Sequence, residues 1–521
     1  MIKEIPGAKD LAEKRVAVLG LGISGRAAIT ALTTHTTAII SAWDARETAL
    51  AEYLENDSID TAFAAKDSQE LLKNLLAWKP EIVVIAPGFR ESGPEWKALR
   101  ESGVQVWSEI ELAWHLRVFT DGIPAPWLAI TGTNGKTTTV TMLESILQAA
   151  GLNGKAVGNV GTPAVLVTSD LTDSAPKAFA FELSSFQLAA THSMQATAAI
   201  CLNFDDDHLE WHFSRESYAQ AKGHIYDGVQ RACVFPIGDS VVQKMVDNAD
   251  VVAGARAIGL VLGTPSVGEI GLIEVERDVD GDGNNETEVL VVDRAFPSAR
   301  YNDALELFKM SDILHLAPAA SEFPLHILKD AMAAAALARA IDVSPEEIRS
   351  GLQNFSAGSH RIELISEYAG VRWINDSKAT NAHAAKASLL AQPAQSTIWI
   401  AGGQAKGGTF TELVTQVKDV LKAVIVIGTE PEPWVEALSE INLPVHFVDG
   451  DAIDPMPEAI SKAAEFAAVG DTVLLAPACA SLDQYDSYAA RGEAFVRSVQ
   501  TLAENNSQET LHSFIDSVEE K

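Results

Sequence analysis

Apolar runs of strand length alternate with longer helical stretches along most of the chain. In the first 124 residues the runs Arg15–Gly20, Ala38–Trp43, Glu81–Ala86 and Val104–Trp107 alternate with helical stretches, the pattern of a parallel, doubly wound sheet. A second segment starts at Trp127, with strands expected at Phe179–Leu183 and Ala196–Asn203. Its stretch from His326 to Ile341 is helical by propensity, with Ala331–Leu337 dominated by alanine. A third segment begins near Gly358, with strands expected at Val371–Ile374, Ile398–Gly402, Ala423–Ile427 and Thr472–Ala476. No short internal repeat is present.

Residues 248–310 interrupt the second segment as an elaboration. Asp278-Val279-Asp280-Gly281-Asp282-Gly283 resembles the start of a calcium loop, but the twelfth position is Val289 rather than Glu. Val275 before it and Val289–Val292 after it read as two strands, so an acidic hairpin tip is the better reading. The polar, acidic tail from Glu504 reads as a solvated end.

Charge and cysteine content narrow the function. The net charge of −32 argues against a nucleic-acid partner and requires any phosphate site to be locally basic. No segment is long and apolar enough to span a membrane, and Met1-Ile2-Lys3-Glu4 has no signal-peptide core. Cys201, Cys233 and Cys479 have no metal or disulfide spacing. The expectation is a cytoplasmic, monomeric protein.

Two glycine-containing turns carry the candidate chemistry. The run Gly132-Thr133-Asn134-Gly135-Lys136-Thr137-Thr138 follows an apolar strand and opens a helix. It is shorter than a strict Walker A motif, yet it makes the same cradle. Backbone N–H groups and a helix N-terminus face an anion, Lys136 reaches the β- and γ-phosphates, and the Thr137 hydroxyl can ligate Mg²⁺. Gly20-Leu21-Gly22-Ile23-Ser24-Gly25 is a G-x-G-x-x-G between a strand and a helix, with Asp44 ending the next strand. That geometry suits a dinucleotide or the pyrophosphate of a nucleotide sugar, and Ala86-Pro87-Gly88 forms the next loop at the same sheet edge. Glu182 ends a strand near the cradle, where it would either cap the following helix or ligate Mg²⁺. By residue type alone, Lys222 reads as a surface lysine and His208 as structural.

The chain resembles the Mur ligases. The resemblance is carried by Thr131–Thr138, Gly158-Asn159-Val160-Gly161, Phe181-Glu182-Leu183-Ser184-Ser185-Phe186-Gln187-Leu188, Asp207-His208, Ala221-Lys222, His360-Arg361, Asn375–Asn381 and Pro477–Tyr485. It covers all three segments. It implies an α/β protein of three domains: a Rossmann-like, UDP-substrate-binding domain at 1–124, a P-loop-type ATPase domain at 125–357 and a Rossmann-like, amino-acid-binding domain at 358–521. The implied activity is ATP-dependent ligation of D-glutamate to UDP-N-acetylmuramoyl-L-alanine through an acyl phosphate. Glu-Leu-Ser-Ser-Phe-Gln-Leu and Ala-Ser-Leu-Asp-Gln are the discriminating pieces. The Asp-Asn-Pro-Arg motif of the diaminopimelate- or lysine-adding members is absent.

Site residues follow by resemblance. Glu182 shares a Mg²⁺ ion with Thr137, and a carbamylated Lys222 holds a second ion with His208. His360, Arg361 and Asp376 lie near ATP. Gly22, Ile23, Ser24, Asp44, Gly88 and Asn159 contact the UDP-substrate. Lys378, Thr380, Lys406, Ser481 and Tyr488 form the D-glutamate pocket, where family members often carry Phe in place of Tyr488. A hinge is expected near Phe355–His360. One departure stands out: the family usually has His-Asn at the start of the long central helix, with the Asn near adenine, whereas Ile327 follows His326 here. Folylpolyglutamate synthase shares the ATPase core, but it lacks the N-terminal domain implied by Gly20–Gly25.

Overall fold

The computed structural model describes residues 2–54, 56–205, 211–277, 286–297, 303–316, 323–356, 360–405, 408–439 and 441–519. The chain forms two compact units. The first comprises 1–312 with 328–355, and the second comprises 313–327 with 356–521. Among the described residues no helix is long and apolar enough to cross a membrane.

The first unit holds a five-stranded parallel sheet. Its spatial order is Thr61–Ala64, Ile39–Asp44, Arg15–Leu19, Ile82–Ile85, Gln105–Trp107. Successive residues of one strand enter different cores: Val16 and Val18 join one cluster, Ala17 and Leu19 the other. A sheet covered on both faces needs apolar residues at consecutive positions, which is why the strands stand out as unbroken runs.

A nine-stranded sheet follows in the same unit. It runs Lys155–Gly158, Phe179–Glu182, Trp127–Thr131, Ala198–Cys201, Ala232–Pro236, Arg256–Leu260, Glu269–Arg277, Glu286–Asp293, Leu305–Lys309. The first seven strands pair in parallel and the last three form an antiparallel meander. The elaboration at 248–310 is thus an extension of this sheet. Its hairpin closes with Arg277 opposite Glu286, and the acidic tip expected at 278–285 lies outside the described residues. Apolar residues of both sheets, among them Val18, Ile40, Trp127 and Phe181, belong to one continuous core.

The second unit contains a six-stranded sheet ordered Glu363–Tyr368, Val371–Asn375, Thr472–Leu475, Thr397–Gly402, Leu421–Ile427, Val445–Phe447. Only the first pair is antiparallel. Here too consecutive residues serve two cores: Trp399 and Ala401 lie on one side, Ile398 and Ile400 on the other. The last helix runs from Tyr488 to Glu519, so the start of the acidic tail at Glu504 lies within it. Of the expected hinge, Ala357, Gly358 and Ser359 lie outside the described residues. The three cysteines are buried and unpaired, and burial pushes the Cys201 thiol up to about 11 and those of Cys233 and Cys479 up to about 12.

Candidate active site

The phosphate loop is built where the third strand of the nine-stranded sheet meets its helix. Trp127–Thr131 is fully buried, and the helix starts at Lys136. Between them Gly135 adopts φ +82°, a left-handed conformation that a side chain would strain. A Cβ there would also lie 2.4 Å from Asp330 Oδ1, so the loop is seated directly against the buried Asp330 of helix Leu325–Arg339. Asn203 holds the other side. Its Oδ1 accepts from Thr133 N–H at 3.0 Å and Asn134 N–H at 2.9 Å, and its Nδ2 donates to Asn134 O at 3.1 Å.

Two lysines converge on this loop. Lys136 Nζ donates to Gly132 O and Thr133 O, both at 2.8 Å. Lys222 Nζ, from helix Arg215–Gly223, donates to the same Gly132 carbonyl at 2.8 Å. The surface reading of Lys222 is overturned, since the residue is only 2% exposed. Its ammonium lies 4.8 Å from the centre of the Tyr218 ring, and Tyr218 Oη is 3.4 Å from Thr133 Oγ1. Two cations at one carbonyl make this point locally basic against the net negative charge of the chain.

Glu182 ends the neighbouring strand and is 2% exposed. Its Oε1 accepts from Asn159 Nδ2 at 2.8 Å, while its buried Oε2 has no hydrogen-bond partner. An orphaned carboxylate oxygen is what a hard cation such as Mg²⁺ would satisfy. The alternative role for Glu182 falls away, because Ser184 caps the next helix in a capping box with Gln187. Gly158 enables the Asn159 contact: at φ +101°, a Cβ would sit 2.3 Å from Glu182 O. His208 lies outside the described residues. Among the described residues no three His, Cys, Asp or Glu side chains cluster as a metal site.

The glycine turn of the five-stranded sheet is open where a ligand would approach. A Cβ at Gly22 or at Gly88 would meet nothing within 4 Å, and Ile23 is 78% exposed at the start of helix Ile23–His35. Asp44 is not free to reach outward. Its Oδ2 accepts from Leu21 N–H at 2.7 Å, and its Oδ1 accepts from Arg46 N–H at 2.9 Å. Burial works to raise its pKa, but the Arg46 side chain and these N–H bonds outweigh burial and hold it below the ordinary value. Asp44 therefore shapes the turn from within.

In the second unit the loop after Val371–Asn375 carries two of the five expected amino-acid ligands, Lys378 and Thr380. Lys378 Nζ lies 3.8 Å from the centre of the Tyr488 ring. Ser377 Oγ donates to Tyr488 O at 2.8 Å, and Thr380 N–H donates to Lys378 O at 2.8 Å. Ser481 is buried in the turn whose neighbour Ala480 bridges to Gln404. Lys406 lies outside the described residues. Arg491 ties these loops together: fully buried, it donates to Ser377 Oγ, Ser377 O and Cys479 O at 3.0–3.1 Å. His360 is buried with Nδ1 2.8 Å from Asn375 Nδ2, and its backbone N–H donates to Glu363 Oε2 at 2.7 Å. Burial pushes the Asp376 carboxyl up to about 7, although Ser388 donates to it and Arg361 lies nearby. Ile327, the departure in the central helix, is buried.

Asn203, Tyr218, Asp330 and Arg491 were not foreseen from sequence. Asn203 had a signal, since it stands just past a strand at the sheet edge where ligand loops gather. The other three act through distant partners and had none.

This fold and loop define a nucleotide-binding α/β protein of the P-loop type. The family described as Mur ligase middle domain matches residues 130–258, and that described as Mur ligase, glutamate ligase domain, matches 360–479. The UDP-N-acetylmuramoylalanine--D-glutamate ligase of Streptomyces coelicolor is 41% identical over 498 residues, covering 95% of this chain and 99% of that one. The protein of the same name from Thermobifida fusca is 39% identical over 507 residues, covering 95% and 100%. The crystal structure of the MurF ligase from Thermotoga maritima in complex with ADP shares the fold, with a TM-score of 0.53 at 16% identity, covering 96% of this chain and 97% of that one. The chain belongs to the Mur ligase family.

Proposed function

We propose that the chain ligates D-glutamate to UDP-N-acetylmuramoyl-L-alanine at the expense of ATP, a step of peptidoglycan precursor synthesis in the cytoplasm. Full-length identity to ligases of that name supports the substrates. The observation that carries the chemistry is the convergence of Lys136 and the buried Lys222 on the Gly132 carbonyl. We assign 1–124 to UDP-substrate binding, 125–357 to ATP and 358–521 to the amino acid.

The γ-phosphoryl group passes to the substrate carboxylate and ADP leaves. The D-glutamate amine then attacks the acyl carbon, forming the C–N bond. Phosphate departs with the C–O bond and the amine loses a proton. Lys136 and the first turn of its helix hold the phosphates and stabilise the charge on the transferring group. Gly132, Thr133, Asn134, Gly135 and Thr138 complete the cradle, with His360, Arg361 and Asp376 reading the rest of ATP. Gly22, Ile23, Ser24, Gly88 and Asn159 bind the nucleotide sugar, with Asp44 shaping their turn. Lys378 and Lys406 pair the D-glutamate carboxylates, while Thr380, Ser481 and Tyr488 orient the molecule.

Mg²⁺, when bound, offsets charge on the phosphoryl oxygens. Thr137 and the orphaned Glu182 Oε2 would hold one ion. His208 and a carbamylated Lys222 would hold a second. Carbamylation joins Nζ to CO₂ and releases two protons from the ammonium, which turns a cation into an anionic oxygen donor. The remaining N–H can still donate to Gly132 O. Phosphate release with UDP-N-acetylmuramoyl-L-alanine and a panel of amino acids tests the assignment. D-glutamate should far exceed L-alanine and meso-diaminopimelate, and equal turnover with all three would reject it.

A further inference from the structure

Glu91, His212 and Ser185 form a chain of hydrogen bonds, buried at His212 and Ser185 and half-buried at Glu91, that the reaction above does not use. His212 Nδ1 lies 3.0 Å from Glu91 Oε2, and His212 Nε2 lies 2.9 Å from Ser185 Oγ. Because the carboxylate can only accept, Nδ1 is the donor towards Glu91, and Nε2 faces the Ser185 hydroxyl. Burial works to raise the pKa of Glu91, but the His212 and Arg100 side chains outweigh burial and keep it below the ordinary value. The order acid–imidazole–hydroxyl is that of a hydrolase relay. Ser185 and His212 are each 2% exposed, however, so no acyl carbon can reach the hydroxyl.

What the chain does connect is informative. Glu91 belongs to the loop that carries Gly88, and Trp211 Nε1 also donates to Pro87 O of that loop at 3.1 Å. Ser185 begins the helix three residues after Glu182. The His212 ring packs 5.2 Å from that of Tyr218, the residue between Lys222 and Thr133 of the phosphate loop. One imidazole thus joins the open loop of the five-stranded sheet to the strand end bearing the orphaned carboxylate.

We propose that His212 is a positioning residue: its Glu91 bond fixes the Gly88 loop for the nucleotide sugar, and its Ser185 bond fixes the Glu182 turn for the metal. This rests on the functional reading given above. Two substitutions divide the ring. His212→Asn keeps a donor near the Nδ1 position and loses the reach to Ser185. His212→Gln keeps the reach to Ser185 and loses the Glu91 bond.

The test is calorimetry with UDP-N-acetylmuramoyl-L-alanine in the absence of ATP, and Mn²⁺ titration by electron paramagnetic resonance with a non-hydrolysable ATP analogue. His212→Gln and Glu91→Gln should weaken nucleotide-sugar binding about tenfold, as loss of one charge-assisted hydrogen bond does, and leave Mn²⁺ binding within about twofold. His212→Asn and Ser185→Ala should show the reverse split. Variants that change neither affinity, or both in parallel with a fall in Tm, overturn the proposal. A wild-type protein that binds neither probe would instead overturn the functional reading on which it rests.

Discussion

Asn203→Ala isolates the contribution of loop order to phosphate transfer. The side chain makes three hydrogen bonds to Thr133 and Asn134, at 2.9–3.1 Å. At about 1 kcal/mol net for each bond, the loop loses about 3 kcal/mol of restraint. Thr133 N–H retains the Asn203 backbone carbonyl at 3.2 Å, which softens one of the three losses. If the loop must regain its shape in the transition state, kcat/KM for ATP should fall roughly 10- to 100-fold, at about 1.4 kcal/mol per decade. Asn203→Asp separates shape from charge. It keeps both acceptor contacts, so Tm should stay near that of the wild type. It also sets a carboxylate beside Asn134 O and inside an anion cradle, so the KM for ATP should rise above that of the alanine variant. Initial rates of phosphate release against ATP concentration, with differential scanning fluorimetry, give both quantities. Asn203→Ala within threefold of wild-type kcat/KM, or an Asp variant that binds ATP as well as the Ala variant, would refute this account.

Other outcomes follow from the same geometry. Lys222→Ala should abolish turnover without unfolding the protein, acetate should restore part of it, and Lys222→Arg should stay inactive; near-normal turnover of the Arg variant would remove the carbamate. Lys136→Ala should lower phosphate release by orders of magnitude while calorimetry still records UDP-substrate binding. Gly22→Ala should fold normally yet weaken nucleotide-sugar binding, whereas Gly25→Ala, with its Cβ 1.9 Å from Gly20 O, should lower Tm sharply. Burial pushes the Glu109 carboxyl up to about 7, although it accepts from Val165 N–H at 2.6 Å. A raised folded-state value means that its stabilising contribution is complete below the unfolded pKa of about 4.5 and is lost as pH rises towards 7. Glu109→Gln should remove this slope, changing the difference in unfolding free energy between pH 4.5 and pH 8 by roughly 3 kcal/mol in urea titrations; an unchanged slope would mean that the carboxyl is ionised in the fold.

Elements buried on both faces were legible because their pattern is local. Arg15–Leu19, Thr397–Gly402 and Thr472–Leu475 coincide with their expected runs to within a residue or two. Short edge strands such as Thr61–Ala64 and Val445–Phe447 were missed: one partner and partial exposure leave little apolar signal. Lys155–Gly158 was missed for the same reason at the edge of the largest sheet. The phosphate loop was readable because glycine, lysine and threonine act within seven residues of one another. Lys222 was not, since its burial is created by a loop 90 residues away. Asp44 was placed at the right sheet edge, but what its oxygens bond to depends on the folded turn.

The buried cysteines have a practical consequence. With all three thiols shielded and their pKa values raised to about 11 or 12, almost no native thiolate is available near neutral pH. A single cysteine introduced on the surface of either unit therefore becomes the one reactive handle on the protein. Maleimide dyes or spin labels can be attached in pairs, one in each unit, without first removing a native residue from the core. Distances between such labels, read with and without ATP analogue and UDP-substrate, would follow ligand-driven movement in a chain whose sequence is otherwise unaltered.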